Sequence, residues 1–214
     1  MKERCFIVSA GRFSPVPRPL TDDFVIACDR GYTYCELLGR VPDLLISDFD
    51  SYDGPVDTAV TLAEFPPEKD DTDTMLAIRY AIEHHFQEVL LSCALGGRLD
   101  HLYANLQSLV FARRHGLSAS LCSEDTEVYA LERESLILPR RDGWSLSVFA
   151  VDEPCRGVSI AGAKYLLDDA ELLPSFPLGV SNLWASDHAE ISVKEGILLV
   201  ILSRFPEQTM QPDL

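Results

Sequence analysis

The stretch DFVIACDRGYTYCELLGRVPDLLISDFDS, residues 23–51, contains two apolar runs separated by a helical segment. Residues 23–28 and 43–47 have the short, strongly apolar composition of buried strands. Between them, residues 31–40 predict a short helix that ends at Gly39, because glycine readily takes the left-handed conformation found at helix ends. A strand, a helix and a second strand in this order indicate a parallel sheet covered by helices.

The same alternation extends on both sides of this stretch through the first half of the chain. Further strands are predicted over residues 4–10, 58–62 and 87–94, and further helices over residues 72–86 and 100–114. From about residue 118 the helical periodicity gives way to short alternating segments such as TEVYAL and WSLSVFAV. Such segments are typical of an antiparallel sandwich or barrel. We therefore expect an α/β domain over residues 1–130 and a β domain over residues 131–214.

The composition of the chain indicates which partners it disfavours and which cellular compartment suits the protein. With 34 acidic and 18 basic side chains among 214 residues, the formal net charge is -16, and we expect no nucleic acid as a partner. The six cysteines form no C-x-x-C pair, which indicates a reducing compartment. The N-terminal apolar stretch is too short for a signal peptide, and no run reaches the ~18 apolar residues of a membrane span. We expect a cytoplasmic protein without a membrane partner.

Acidic side chains lie next to several of the predicted elements. Asp29 follows the strand at 23–28, Asp48 and Asp50 follow the strand at 43–47, and Asp70 and Asp73 flank the start of a helix. In an open α/β sheet, ligands bind outside the carboxyl ends of the strands, so these carboxylates can share one crevice. Like charges converge there only with a cation, and Mg²⁺ takes a few carboxylates together with waters and substrate phosphates.

Each acid also has a purely structural interpretation. Asp71 or Thr72 can cap the helix that starts near residue 72, and Asp73 in its first turn suits the helix dipole. The pair of acids after residue 47 can equally belong to a solvated turn. The recurrence of acids at separate strand ends favours the cation site.

The segment LGGRLDH, residues 95–101, adds a positive charge. Gly96 and Gly97 allow the backbone to approach a ligand closely, and Arg98 offers a planar fork that suits phosphate oxygens. The helix that follows supplies free N–H groups at its start, and the segment therefore predicts phosphate binding. In the alternative interpretation, Asp100 caps this helix, Arg98 neutralises nearby acids, and His101 packs or forms a hydrogen bond at the helix start.

An ordered set of motifs resembles the thiamine pyrophosphokinase (thiamine diphosphokinase) family across nearly the whole chain. The motifs are CDRGY at 28–32, PDLLISDFDS at 42–51, EKDDTD at 68–73, LGGRLDHLYANL at 95–106, KYLLDDAEL at 164–172 and GVSNLW at 179–184. The resemblance implies a Rossmann-like α/β domain that binds ATP and Mg²⁺, followed by a β-sandwich for thiamine binding and dimerisation. It also implies transfer of the pyrophosphoryl group of ATP to the thiamine hydroxyl, in a homodimer with its active sites at the subunit interface.

The resemblance assigns roles residue by residue. Asp29, Asp48, Asp50 and Asp73 fall on the metal positions, and the last three together with Arg98 form the catalytic set. One of Asp48, Asp50 and Asp73 would accept the thiamine hydroxyl proton, and the sequence does not choose among them. The remaining matched positions bind substrate, namely Lys69, Asp70, Thr72, Asp100, Ser181 and Asn182.

Three positions depart from the family pattern. Arg30 and Ser47 stand where the family usually has glycine, and Leu183 stands where it usually has an acid. Arg30 either adds a phosphate contact or narrows the nucleotide pocket, whereas Leu183 removes a polar group near the thiamine side. Two other functions therefore stay open: a Mg²⁺-dependent phospho- or pyrophosphotransferase acting on another small alcohol, and a catalytically silent nucleotide-binding module.

Overall fold

The computed structural model describes residues 3–47, 54–64 and 71–205. The chain divides into two compact units, Met1–Glu124 and Asp125–Leu214. The predicted fold class is confirmed: the first unit is α/β with a parallel sheet, and the second is an antiparallel β-sandwich. The division comes earlier than the predicted boundary after residue 130, because the strand at Thr126–Glu132 pairs along its whole length with a strand of the second unit.

The first unit contains a parallel sheet with the strand order β4-β3-β2-β1-β5-β6 in the described part of the chain. The chain therefore builds the sheet outward from β1 in one direction and then in the other, which places a topological switch point between β1 and β5. The strands are β1 (Arg4–Val8), β2 (Phe24–Cys28), β3 (Leu44–Ser47), β4 (Thr61–Glu64), β5 (Glu88–Ser92) and β6 (Ser118–Cys122).

These strands form because their apolar side chains are covered on both faces. All four residues of β3 are buried, as are the last four of β1, β2 and β5. Near-continuous apolar burial of this kind is typical of parallel strands that lie between helices. Asp23, buried just before β2, accepts two hydrogen bonds of 2.8 Å from the Arg4 guanidinium and one of 2.6 Å from the Leu20 N–H.

Three helices are described in the first unit: α1 (Gly31–Leu37), α2 (Asp73–Glu83) and α3 (Leu99–Arg114). The predicted stop at Gly39 is confirmed, since Gly39 has a φ of +74° and the N–H of Arg40 donates to the Cys35 carbonyl at 2.9 Å. None of the described helices is both long enough and apolar enough to cross a membrane.

The strand predicted over residues 58–62 begins later, at Thr61. Asp57 forms a turn ahead of it, because its side chain accepts from the Ala59 N–H at 2.9 Å and its carbonyl accepts from the Val60 N–H at 3.0 Å. The prediction placed this turn inside the strand.

The second unit consists of two antiparallel sheets packed on one core. One sheet has the order β7-β13-β9 and the other β11-β10-β12-β8. Buried residues from both sheets, including Val148, Val200, Ile160 and Ile191, form one apolar cluster, as a sandwich requires. The strands are β7 (Thr126–Glu132), β8 (Ser135–Pro139), β9 (Trp144–Ala150), β10 (Cys155–Ala161), β11 (Leu167–Leu172), β12 (His188–Ser192) and β13 (Ile197–Arg204).

Candidate active site

A cleft of about 590 Å³ opens in the first unit at the carboxyl ends of β1, β2 and β5. This is the switch point of the sheet, where ligands of open α/β proteins bind. Four residues to which the family resemblance assigns a role line this cleft together: Asp29, Thr72, Asp73 and Arg98.

Asp29 and Asp73 bring two carboxylates to the cleft from different elements. Asp29 follows β2 with a φ of +46°, a conformation that aspartate tolerates better than most residues and that turns the chain away from the strand. Asp73 is the first residue of α2. Burial raises the pKa of the Cys28 thiol well above its ordinary value, and the charges of Asp73 and Asp29 raise it further. Both carboxylates therefore act on the same thiol beside the cleft.

The turn between β5 and α3 forms the opposite wall. Gly96 and Gly97 both have a φ of +75°, a conformation that other residues rarely adopt. A Cβ at Gly96 would lie 2.9 Å from the Cβ of Arg12, whereas a Cβ at Gly97 would meet no atom within 4 Å. Gly96 therefore permits a tight turn, and Gly97 leaves open space where a ligand can approach the backbone.

Arg98 is the N-cap residue of α3 and lines the cleft with a largely exposed side chain. Its Nε and Nη2 donate to Asp100 at 3.2 and 2.5 Å, and this hydrogen bonding lowers the pKa of the Asp100 carboxyl. The alternative in which Asp100 caps α3 is wrong, because the helix already begins at Leu99 and Asp100 lies in its first turn. Asp100 instead holds the Arg98 side chain, as the neutralising interpretation proposed.

Thr72 has the capping role that the structural interpretation gave it. Its Oγ1 accepts from the Met75 N–H at 3.2 Å at the start of α2. Asp71 forms an ion pair with Arg79 at 3.0 Å instead of capping the helix. Thr72 therefore fixes the end of α2 that presents Asp73, whatever contact it makes with a substrate.

Other lining residues were not selected from the sequence. Ser9 follows β1, and its hydroxyl lies 3.0 Å from the Thr74 hydroxyl of α2, with both side chains buried. Asn105 is buried on α3 and donates to the Ala94 carbonyl at 2.7 Å, which fixes the turn after β5. A polar residue on the inward face of a helix is the signal that points to Asn105. Arg12 and His101 also line the cleft, and the sequence predicted for His101 only a packing or hydrogen-bonding role at the helix start.

Two of the three positions that depart from the family pattern belong to the first unit. Arg30 lines the cleft, and Ser47 is buried at the end of β3. Gly31, next to Arg30, packs so tightly on β1 that a Cβ there would lie 2.0 Å from the Val8 carbonyl oxygen. Leu183 belongs to the second unit and is half-buried.

Ser181 and Asn182 lie in the second unit and differ in the exposure of their side chains. Ser181 is exposed, with a φ of +58°, and its N–H donates to the Ser147 hydroxyl at 3.0 Å. The Asn182 side chain is buried; its Oδ1 accepts from the N–H groups of Tyr165 and Leu183, both at 2.9 Å, and its Nδ2 donates to the Tyr165 carbonyl at 2.6 Å. Asn182 therefore joins two segments of the unit.

Asp48, Asp50, Lys69 and Asp70 lie outside the described residues. In the remainder, no group of three or more His, Cys, Asp or Glu side chains is arranged to hold a metal ion. The two carboxylates that do share the cleft, Asp29 and Asp73, nevertheless fit Mg²⁺, which commonly takes one or two protein carboxylates together with substrate phosphates.

Comparison with known proteins gives the same family for both units. Residues 20–121 match the model of the thiamin pyrophosphokinase catalytic domain, and residues 135–198 match that of the thiamin pyrophosphokinase vitamin B1 binding domain. A thiamine pyrophosphokinase of Bacillus subtilis is 24% identical over 184 residues, which cover 83% of this chain and 86% of that protein.

Solved structures support this match. The structure of a thiamin pyrophosphokinase family protein from Enterococcus faecalis is 30% identical, with a TM-score of 0.82 over 95% of this chain and 100% of that one. The thiamin pyrophosphokinase of Candida albicans shares the fold at 10% identity, with a TM-score of 0.71 over 94% of this chain and 89% of that one. This chain belongs to the thiamine pyrophosphokinase family.

Proposed function

We propose that this protein transfers the pyrophosphoryl group of ATP to the hydroxyl group of thiamine, giving thiamine diphosphate and AMP. The observation that carries this proposal is the cleft at the switch point, where Asp29 and Asp73 lie with Arg98 in a chain of this family. Carboxylates for a cation and a guanidinium for phosphates are the groups that phosphoryl-type transfer needs.

ATP would bind with its phosphates against the turn after β5. The open space at Gly97 admits phosphate oxygens close to the backbone, and Arg98 adds a charged donor at the same turn. The N-cap residue of α3 makes no side-chain cap hydrogen bond. Because the His101 N–H donates to the Asp100 carboxylate at 2.9 Å, the N–H groups of Leu99 and Asp100 are the ones that the helix start would offer to an anion. Asp100 keeps the Arg98 side chain oriented for this contact.

Mg²⁺ would be held by Asp29 and Asp73, with Asp48 and Asp50 completing the predicted set. When bound, the ion would neutralise charge on the phosphate oxygens and align the chain of phosphates. Asp29 and Asp73 would also be fixed in place before ATP binds, because one follows a buried strand and the other begins a capped helix.

The reaction requires one displacement at phosphorus. The thiamine hydroxyl oxygen forms a bond to the β-phosphorus, the bond from that phosphorus to the oxygen bridging it to the α-phosphorus breaks, and AMP leaves with this oxygen. The hydroxyl proton passes to a carboxylate, for which Asp48, Asp50 and Asp73 stay candidates. No covalent intermediate is formed in this scheme. Most of the rate acceleration would therefore come from positioning the two substrates and from stabilisation by Arg98 of the negative charge on the phosphate oxygens.

Thiamine would contact the second unit, within the segment that matches the vitamin B1 binding domain. Ser181 is the better placed of the two predicted contacts, because its hydroxyl is exposed while the Asn182 amide is largely engaged. In this proposal Asn182 mainly joins the segment at Tyr165 to the segment that presents Ser181, whose N–H is held by the Ser147 hydroxyl.

The product formed from each acceptor tests the reaction. We expect Mg²⁺, ATP and thiamine to give AMP and thiamine diphosphate, and we expect a panel of other small alcohols to give no AMP. AMP formed only with a different alcohol would support the transferase alternative instead. ATP and thiamine binding without any product would support the silent module, and either result would overturn the proposal.

We also propose a homodimer formed through the second unit, with the active sites at the subunit interface. Six large apolar side chains of this unit are exposed between residues 165 and 180: Tyr165, Leu166, Leu173, Phe176, Leu178 and Val180. Exposed apolar side chains in such number mark an interaction surface, and a second copy would cover them.

Sedimentation equilibrium tests the dimer. The measured mass should be twice the chain mass of 23.8 kDa, and Phe176→Ser should lower the measured mass. A wild-type monomer at assay concentration contradicts the dimer.

The cytoplasm is the compartment that we propose for the protein. All six cysteines are free thiols, five of them buried, which suits a reducing environment. Cell fractionation followed by immunoblotting tests this location, and recovery from a secreted or periplasmic fraction would contradict it.

A further inference from the structure

Arg30 has an unusual combination of anchoring and exposure at the cleft. It follows Asp29 directly, lies at the start of α1, lines the cleft and is exposed. Its Nη2 donates to the carbonyl oxygens of Ala10 and Gly11 at 2.9 and 3.3 Å. These two bonds attach Arg30 to the loop that follows β1.

The side chain is held by a second contact. The guanidinium carbon lies 5.6 Å from the centre of the Tyr34 ring, and the Tyr34 hydroxyl donates to the Gly11 carbonyl at 2.9 Å. Phe13 packs against the same ring with a centroid distance of 5.4 Å. The guanidinium plane is therefore fixed before any ligand arrives, which reduces the entropy lost on binding.

Most of the hydrogen-bonding capacity of Arg30 is still available. A guanidinium carries five N–H donors, and the three on Nε and Nη1 have no partner in the part of the chain that the structure describes. In the same part, no carboxylate forms an ion pair with Arg30. A fixed planar cation with free donors at the mouth of a cleft matches the oxygens of a phosphate group.

The sheet order indicates what length of anion suits both arginines of the cleft. Arg30 follows β2 and Arg98 follows the turn after β5, and β1 lies between these two strands. Neighbouring strands are about 4.8 Å apart, so the two loops start about 10 Å apart. A chain of phosphates can extend between groups at this separation, whereas a single phosphate cannot.

We propose that Arg30 binds the polyphosphate chain of the nucleotide and, together with Arg98, selects a triphosphate over shorter phosphates. This inference rests on the proposed function for the identity of the nucleotide. In this proposal Arg30, which stands where the family usually has glycine, adds a contact to the substrate in addition to occupying space in the pocket.

Calorimetric titration in Mg²⁺ buffer, without thiamine, tests the contact. The probes are ATP, inorganic tripolyphosphate and adenosine, and the proteins are wild type, Arg30→Gln and Arg18→Gln. Arg18 is also an exposed arginine of the first unit but does not line the cleft, so it serves as the matched control. We expect Arg30→Gln to weaken ATP and tripolyphosphate binding about ten- to a hundredfold and adenosine binding not at all. Arg18→Gln should bind all three as wild type does.

Unchanged tripolyphosphate affinity in Arg30→Gln would overturn the proposal, and so would an equal loss for adenosine, which would reveal a structural role for the arginine. Should Arg30→Gln not fold, Arg30→Lys keeps the charge and loses the fork, and we expect it to bind tripolyphosphate less tightly than wild type; equal affinity would again contradict the contact. None of these titrations needs turnover, so a wild-type protein that binds tripolyphosphate through Arg30 but makes no thiamine diphosphate would refute only the proposed function.

Discussion

Asp73→Asn should lower the rate of thiamine diphosphate formation on the order of 10²–10³-fold while the protein stays folded. The substitution keeps the shape of the side chain and removes its charge. The variant would therefore bind the cation less tightly and would also lack one of the candidate proton acceptors. Asp73 also suits the α2 dipole in the first turn, so we expect a loss of stability of only about 0.3–1 kcal/mol. Steady-state kinetics at saturating Mg²⁺ and urea unfolding measure the two effects separately.

Asp71→Asn is the matched control for this variant. Asp71 lies two residues earlier and pairs with Arg79, and it does not line the cleft. We expect its turnover to stay close to wild type. A similar loss in both variants would show that the effect comes from the start of α2 in general, and full activity of Asp73→Asn would remove Asp73 from the proposed chemistry.

Gly31→Ala should destabilise the protein by about 3 kcal/mol or more. The added Cβ would lie 2.0 Å from the Val8 oxygen and 2.9 Å from the Val8 carbonyl carbon. Both atoms are backbone of β1, so no side chain can move aside, and α1 must shift away from the sheet. Because Asp29 and Arg30 precede this helix directly, we also expect a higher KM for ATP in the folded fraction.

Gly39→Ala separates this clash from a simple loss of glycine. A Cβ at Gly39 meets no atom within 4 Å, and only its φ of +74° opposes the change. We expect that variant to lose about 1–2 kcal/mol, the usual cost of a left-handed conformation for a non-glycine residue. If urea unfolding gives equal losses for the two variants, the close packing of Gly31 on β1 is not important for stability.

Residues that follow apolar runs could be predicted from the sequence because strand ends are local features. Asp29 and Arg98 were found in this way, and the cleft brings them together with Asp73. Ser9 was not predicted as a site residue, because the first strand was predicted to continue to residue 10. In the structure β1 ends at Val8, so Ser9 follows it directly.

Other features depend on contacts between distant parts of the chain. Nothing near Asn182 in sequence indicates that its amide will bond to Tyr165, so its structural role could not be anticipated beside its predicted thiamine contact. Similarly, the anchoring of Arg30 depends on carbonyl groups about twenty residues earlier in the chain. The sequence could indicate a positive charge at position 30 but could not decide between its two interpretations.

The fate of the β-phosphorus of ATP tests the central claim most directly. ATP carrying a label at that position is incubated with the protein, Mg²⁺ and thiamine, and the products are separated. Pyrophosphoryl transfer predicts that all of the label lost from ATP appears in thiamine diphosphate and none of it in AMP. Label that remains in a nucleotide product, as ADP, would show transfer of a single phosphoryl group or simple hydrolysis and would contradict the account.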